Sequence, residues 1–377
     1  MKKKIIHFVK QETVLCAALA LATVSMFFVR PDGEYLSYID FRTLAILFCL
    51  MGVMSGLQKT GVFQWVAQAL LERVKKARQL VWILVLLCFF SSMAVTNDVA
   101  LITFVPFTFI VLDLVGSEAR GRLLVPVVVL QTIAANLGSM LTPIGNPQNL
   151  YLYGKAGISL GSFLLLMLPY TLVSFLFVML WSTVQTRKYD APIAVSFAEN
   201  VHLSDKKLQL AAYLLLFVAD LLTVARVIPY GPALLATVIG ILVIDRSIFG
   251  RVDYSLLLTF VGFFVFIGNM GRIPAFHDFL QRIVSGNELL VGAAASQVIS
   301  NVPAALLLSG FTENLAPLVI GVNIGGLGTL IASMASLISY KFVAREDSAA
   351  KGAYFRYFTA VNICFLVILL LFASFFM

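Results

Sequence analysis

Two short polar segments interrupt an otherwise apolar chain: Thr96-Asn97-Asp98 and Ser300-Asn301-Val302. Each is followed further on by an Asn-x-Gly, at Asn136 and Gly138 and again at Asn323 and Gly325. Helix breakers crowd behind both, with Pro143, Gly145 and Pro147 in the first case and Gly326 and Gly328 in the second. Gly or Pro within a spanning helix interrupts its hydrogen-bond ladder and frees backbone carbonyls and amides. Freed carbonyls, joined by Asn, Ser and Thr oxygens, form a hard, neutral cage suited to a small cation such as sodium. Helix N-termini beside the break offer amides and positive dipole ends to an anion. The candidate binding residues are therefore Thr96, Asn97, Asp98, Asn136, Gly138, Thr142 and Asn146 in one half-site, and Ser300, Asn301, Asn323, Gly325 and Thr329 in the other. Sodium is expected at Asn97, Asn136, Asn301 and Asn323. The competing reading of the same Asn, Ser and Thr residues is that they only bond one helix to another.

Asp98 breaks the symmetry, because Val302 stands in its place in the second segment. A carboxylate inside a membrane is costly and points to function. It adds charge to a cation site or carries a proton. Asp220 is a second intramembrane acid, but Arg226 follows six residues later, and Asp220 is read as structural. His7, His202 and His277 fall in loops or at interfaces.

Several function classes drop out. No Gly-rich loop ending in Lys-Ser/Thr is present, so the chain does not hydrolyse ATP itself. No nucleophile–base pair or metal-ligand spacing argues for an enzyme, and no resident cofactor beyond a sodium ion is expected. Cys16, Cys49, Cys88 and Cys364 all lie in apolar runs and read as small packing residues. The net charge of +8 suggests no nucleic-acid partner, because cytoplasmic loops of membrane proteins carry excess Lys and Arg.

The elements that must position these residues are membrane helices. Sixty per cent of the 377 residues are apolar and only 12% are charged, more apolar surface than a soluble domain hides. Runs at 13–29, 161–184, 208–225 and 353–376 are the clearest spans. The first, although preceded by basic residues, is read as a span rather than a signal peptide. With the N-terminus inside, 21 of the 27 basic residues fall on the cytoplasmic side. That count holds only if 80–112 and 288–311 enter the membrane and return on the side they came from. Nine crossings then remain, the C-terminus lies outside, and the compact form suits a bacterial inner membrane.

An internal repeat supports this layout. Residues 136–150 align without gaps on 323–337, with five of fifteen identical. Asn146 pairs with Ser333 and Asn149 with Ser336. Upstream, Asp40 and Asp253 each open a span that ends near a glycine, Gly56 or Gly268, and an amphipathic piece follows at 62–76 and 273–284. An odd number of crossings between corresponding parts inverts one half relative to the other. The expected fold is all-α and polytopic, with two inverted-topology repeats. Residues 1–190 form the first, with a hairpin at about 80–112 and a broken helix at about 122–153. Residues 191–228 link the halves, and 229–377 form the second, with a hairpin at about 288–311 and a broken helix at about 315–342. The second broken helix, rich in Gly but lacking Pro, is expected to unwind more gently than the first.

Thr96-Asn97-Asp98 with Val99-Ala100-Leu101, Ser300-Asn301-Val302-Pro303 and the paired Asn-x-Gly segments resemble the ion transporter superfamily over nearly the whole chain. That group includes citrate transporters, divalent anion/sodium symporters, arsenite permeases and sodium/proton antiporters, and this chain is similar to its short citrate-transporter-like members. The resemblance implies a homodimer in the lipid bilayer, a scaffold with a moving transport domain, an elevator motion, and a small anionic substrate between sodium-bound hairpin tips. Dicarboxylate symporters carry Ser-Asn-Thr at both tips. Both tips here lack the final Thr, and Asn97-Asp98 with Thr142-Pro143-Ile144-Gly145 is closer to arsenite permeases. The two readings kept are an ion-coupled anion transporter and a metalloid extruder or sodium/proton antiporter using Asp98.

Overall fold

A computed structural model describes residues 12–187 and 206–377, with 191–193, 195, 197 and 203 of the connection between them. The basic residues Lys2, Lys3, Lys4, Lys10 and Lys188, and His7 and His202, lie outside the described residues. The long elements among the described residues are all helices. Eight stretches are long and apolar enough to cross a membrane, so the chain is an all-helical, multi-pass membrane protein.

The first half runs α1 (Thr13–Phe28), α2 (Phe41–Thr60), a short amphipathic α3 (Val62–Leu71), α4 (Ala77–Ala94), α5 (Asn97–Val115), α6 (Ser117–Ser139), α7 (Pro147–Ala156) and α8 (Leu160–Thr186). After α9 (Lys207–Val224) the same order returns. It comprises α10 (Tyr230–Ile244), α11 (Tyr254–Gly271), amphipathic α12 (Pro274–Val284), α13 (Glu288–Ile299), α14 (Asn301–Ser309), α15 (Leu315–Ile324), α16 (Met334–Glu346) and α17 (Lys351–Phe376).

Corresponding elements begin and pack alike for local reasons. Asp40 and Asp253 cap α2 and α11, each accepting from the backbone N–H three residues on at 2.9 Å. Their dihedrals nearly coincide, φ −80°, ψ 83° and φ −80°, ψ 84°. Gly56 and Gly268 lie under the rings of Tyr213 and Tyr38, where any Cβ would collide with the ring. Outside the central unit, α1 packs along α11, while α2 packs on α10 and α9. Each half thus lends its second span to the first span of the other.

The central unit is laced across the halves in the same way. α4 and α5 form a hairpin against α6, and α13 and α14 form one against α15. α7 packs on α14 of the opposite hairpin, and α16 packs on α5. The first hairpin's arms are both among the stretches long enough to cross, whereas α13 and α14 have only 12 and 9 residues.

Both broken helices are present. The helical ladder stops between Ser139 and Pro147, and between Ile324 and Met334. The second break is therefore the longer, which corrects the expectation of gentler unwinding. Pro pre-sets φ for a helical start, and Pro147 restarts α7 at once. The second segment has no such restart signal, and Gly328 takes φ +99°, a left-handed turn open to Gly at little cost.

Candidate functional site

The hairpin tips dock onto the breaks through matched backbone bonds. Asn97 donates its backbone N–H to the Gly145 carbonyl at 3.0 Å, and Asn301 donates to Ala332 at 2.9 Å. Gly145 and Ala332 are equivalent positions in the gapless alignment. Thr142 Oγ1 donates to the Met93 carbonyl at 2.6 Å, and Thr329 Oγ1 to that of Gln297 at 3.1 Å. Both candidate threonines therefore tie a break to its own hairpin. Gly138 and Gly325 also correspond. A Cβ on Gly138 would strike the Phe89 carbonyl oxygen, and one on Gly325 would come within 2.7 Å of Ala293 Cα.

The asparagines join the halves. Asn136 Oδ1 accepts from Asn97 Nδ2 and from Ser333 Oγ, both at 3.0 Å, and Asn136 Nδ2 reaches Ser336 Oγ at 3.4 Å. Asn323 mirrors it, accepting from Asn146 Nδ2 at 3.0 Å and donating to Asn149 Oδ1 at 2.6 Å. Asn97, Asn136, Asn146, Ser300, Asn301 and Asn323 are all buried. Asn97, Asn136, Asn146 and Asn323 thus form one network across the halves, whereas Thr142, Ser300 and Thr329 bond within their own half.

Four helix N-termini meet there: α5 and α14 at the tips, α7 and α16 beyond the breaks. Their positive ends converge without any basic side chain in the network, an arrangement that favours negative charge. Ser300 caps α14 with φ +72°, ψ 154°. That backbone region is nearly confined to Gly, and the strain concentrates at the second tip.

Two residues outside the sequence-derived set complete the breaks. Asn149 Nδ2 lies among the carbonyls of Ser139, Met140 and Thr142 at 3.2–3.4 Å. Gln297 Nε2 donates to Gly325 and Leu327 at 2.8 and 2.9 Å and to Ala293 at 3.2 Å, while its Oε1 accepts from Thr329 N at 2.9 Å. A neutral amide thus sits where the freed carbonyls were expected to await a cation. Each carbonyl keeps a second lone pair for a further partner. Gln297 lies one helical turn before Asn301, and that spacing is the signal that would have identified it.

The centre opens on one side. A cavity of about 380 Å³ is lined by Ser55 and Gln58 of α2, Thr96 and Asp98 of the first tip, Asn146 of the break, and Arg251 and Asp253 ahead of α11. Asp98 faces this space, whereas its counterpart Val302 borders a crevice of about 20 Å³. Asp220 lies elsewhere, buried among α2, α9 and α10, with Thr237 Oγ1 at 3.4 Å. Arg226 does not pair with it. Its guanidinium bonds instead to carbonyls at the end of α7.

Comparison with known proteins agrees with this architecture. An uncharacterized transporter of Methanocaldococcus jannaschii is 32% identical over 345 residues, covering 91% of this chain and 92% of the relative. The inner membrane protein YbiR of Escherichia coli is 30% identical over 308 residues, 80% of each chain. The magnetosome protein MamN of Magnetospirillum gryphiswaldense is 26% identical over 384 residues, covering 89% of this chain and 86% of the relative. The pattern of the citrate transporter family matches residues 8–317, and the chain belongs to that family: it is a membrane transporter, not an enzyme.

Proposed function

We propose that the protein is a secondary active transporter of a small anion, a carboxylate or inorganic oxyanion, coupled to sodium or protons through an elevator-type motion. The observation that carries this reading is the meeting of four helix N-termini with Asn97, Asn136, Asn301 and Asn323 at two docked tips. Positive helix ends suit the anion, and amide and carbonyl oxygens suit the cation. In this reading residues 1–190 and 229–377 are inverted repeats joined by 191–228. Both hairpins are re-entrant, because their tips dock at interruptions within the broken helices rather than at a span's end. The assembly is a homodimer in a bacterial inner membrane, with the N-terminus cytoplasmic and the C-terminus periplasmic.

A second reading rests on Asp98, which lines the cavity together with Asp253 and Arg251. There the protein extrudes an arsenite-like metalloid, or exchanges sodium for protons, with Asp98 carrying the proton.

The deciding experiment is the melting temperature of the purified protein in sodium, lithium, potassium and choline salts at equal ionic strength. A ligand that binds only the folded state raises it by mass action. A rise specific to sodium, lost in Asn97→Ala and Asn301→Ala, supports the sodium-coupled reading. Equal melting in all four salts removes the sodium cage and leaves proton coupling at Asp98.

A further inference from the structure

The short helix α7 meets its surroundings differently at its two ends. At its start, Asn146, Pro147 and Leu150 wall the 380 Å³ cavity. At its end, one arginine from outside the hairpin and broken-helix unit grips it. Arg226, in the turn after α9, donates Nη1 to the Gly157 carbonyl at 3.0 Å and Nη2 to Tyr153 and Gly154 at 3.3 and 3.4 Å. Its guanidinium also lies 5.2 Å over the Tyr153 ring. Arg42 of α2 stands beside it, with Nη2 donating to the Thr223 carbonyl at 3.3 Å.

The last carbonyls of a helix have no partner within it and form its negative end. A planar guanidinium with five donors matches several of them at once, as an ammonium does not. Arg226 takes φ +65° where the chain turns out of α9, with Val227 N–H closing back on the Leu222 carbonyl at 2.8 Å. The contact is one-sided. α9 and its following turn, which supply Arg226, occur once and have no equivalent in the repeat. On the arginine side lies a separate pocket of about 290 Å³, bordered by Asp40, Arg42, Tyr151 and Lys155. Leu150 lines the cavity and Tyr151 the pocket, so consecutive residues of α7 face the two openings.

We propose that Arg226 is a positioning residue for alternating access, clasping α7 to the α2–α9 scaffold while the centre opens into the cavity. The clasp must release before the centre opens at the other end. The inference rests on the reading above in taking the cavity as the way into the site and α2 with α9 as the part against which α7 moves.

The test needs no substrate. A cysteine at Ser55, within the cavity, is labelled with a membrane-impermeant maleimide from the side on which it reacts, and labelling of the parent chain is subtracted. Arg226→Gln removes three charge-assisted bonds, shifting the balance of the two states by about tenfold. A population that was mainly clasped then becomes roughly an even mixture, so labelling of S55C slows about twofold. Arg226→Lys restores part of the rate. An unchanged rate in a folded R226Q protein reduces the contact to a helix cap and overturns the proposal. Should R226Q fail to fold, Tyr153→Leu removes the ring beneath the guanidinium and is read by the same criterion. Labelling is independent of the salt-dependent melting test, so either idea can fail alone.

Discussion

Asn146 Nδ2 donates to Asn323 Oδ1 at 3.0 Å, joining residues 177 positions apart at the point where the two halves meet. Its mirror image is the pair Asn136 and Ser333, also at 3.0 Å. Each bond links the last turn before one break to the residue that restarts the helix after the other. The two breaks are therefore a single structural unit, and neither can relax without disturbing its partner.

The first prediction follows from that bond. Asn323→Ala leaves the Asn146 amide with Ser139 Oγ alone and strips the donor from Asn149 Oδ1 in a buried centre, at a cost of about 1–2 kcal/mol. Because the two residues touch, the double variant N146A/N323A should be less destabilised than the sum of the single ones. Unfolding midpoints in detergent for the four members of the cycle measure the coupling. Strict additivity would show that the bond contributes nothing.

The second concerns close packing at the first break. Gly138→Ala places a methyl against the Phe89 carbonyl and Ser92 Oγ, and a backbone oxygen cannot move aside as a flexible side chain can. α4 must separate from α6, and folding yield should fall sharply. Gly161→Ala is the control. Its methyl meets only Ser159 Oγ at 3.9 Å, in the first turn of α8, so it is accommodated without a clash. Size-exclusion profiles and melting temperatures of Gly161→Ala should stay near the parent while those of Gly138→Ala fall away.

The third is a pH prediction at the end of α2, where Lys59 lies in the last turn. Lys59 Nζ lies 2.5 Å from Asp245 Oδ2, and Ser247 also bonds the carboxylate. The Lys59 bond comes first among the causes that pull the Asp245 pKa down to about 2. An acid with a depressed folded pKa stabilises the fold fully above its unfolded pKa of about 3.9. That contribution fades as pH falls toward 2. The melting difference between the parent and Asp245→Asn should therefore be constant from about pH 8 to pH 5 and shrink below about pH 4. It should also narrow with added salt, because both partners reach solvent. A gap that widens on acidification would mean that another group controls this corner.

Much of this centre was legible in the sequence, because breakers and polar residues are rare in apolar spans and their order repeats. The register of 136–150 on 323–337 carries through to matched contacts, from Asn97–Gly145 and Asn301–Ala332 to Thr142–Met93 and Thr329–Gln297. What alignment missed is work done by different residues in the two halves. Asn149 satisfies the first break from the far side of it, and Gln297 satisfies the second from the hairpin. The clasp by Arg226 depends on α9, which lies outside the repeat. The cavity at the first tip was not legible either, because a repeat by itself does not say which of two equivalent tips opens.

Gln297 yields a fourth prediction. Gln297→Ala strips the partner from the Gly325 and Leu327 carbonyls and from Thr329 N–H. Unpaired groups at a break cost about 1–3 kcal/mol each where water cannot reach them. Thr329 is exposed, so water should restore part of the loss there. The variant should unfold earlier than N323A, and Gln297→Glu should not rescue it, because a carboxylate cannot donate to the two carbonyls. If Q297E melts like the parent, the carbonyls are satisfied in some other way.

The last prediction separates the two functional readings. Asp98 lines the cavity at the first tip, and Val302 occupies the same place at the second. If Asp98 carries the transported proton, Asp98→Asn keeps the shape of the tip while removing the titrating group, and flux should lose its pH dependence. If Asp98 only adds negative charge to a cation site, the same variant should weaken cation-specific stabilisation and leave the pH profile in place. Proteoliposomes loaded with a pH-sensitive dye, under an imposed sodium gradient and then an imposed proton gradient, report both quantities. A parental pH profile with parental sodium-specific stabilisation in D98N would remove Asp98 from coupling altogether, leaving the neutral asparagine centre to bind the driving ion alone.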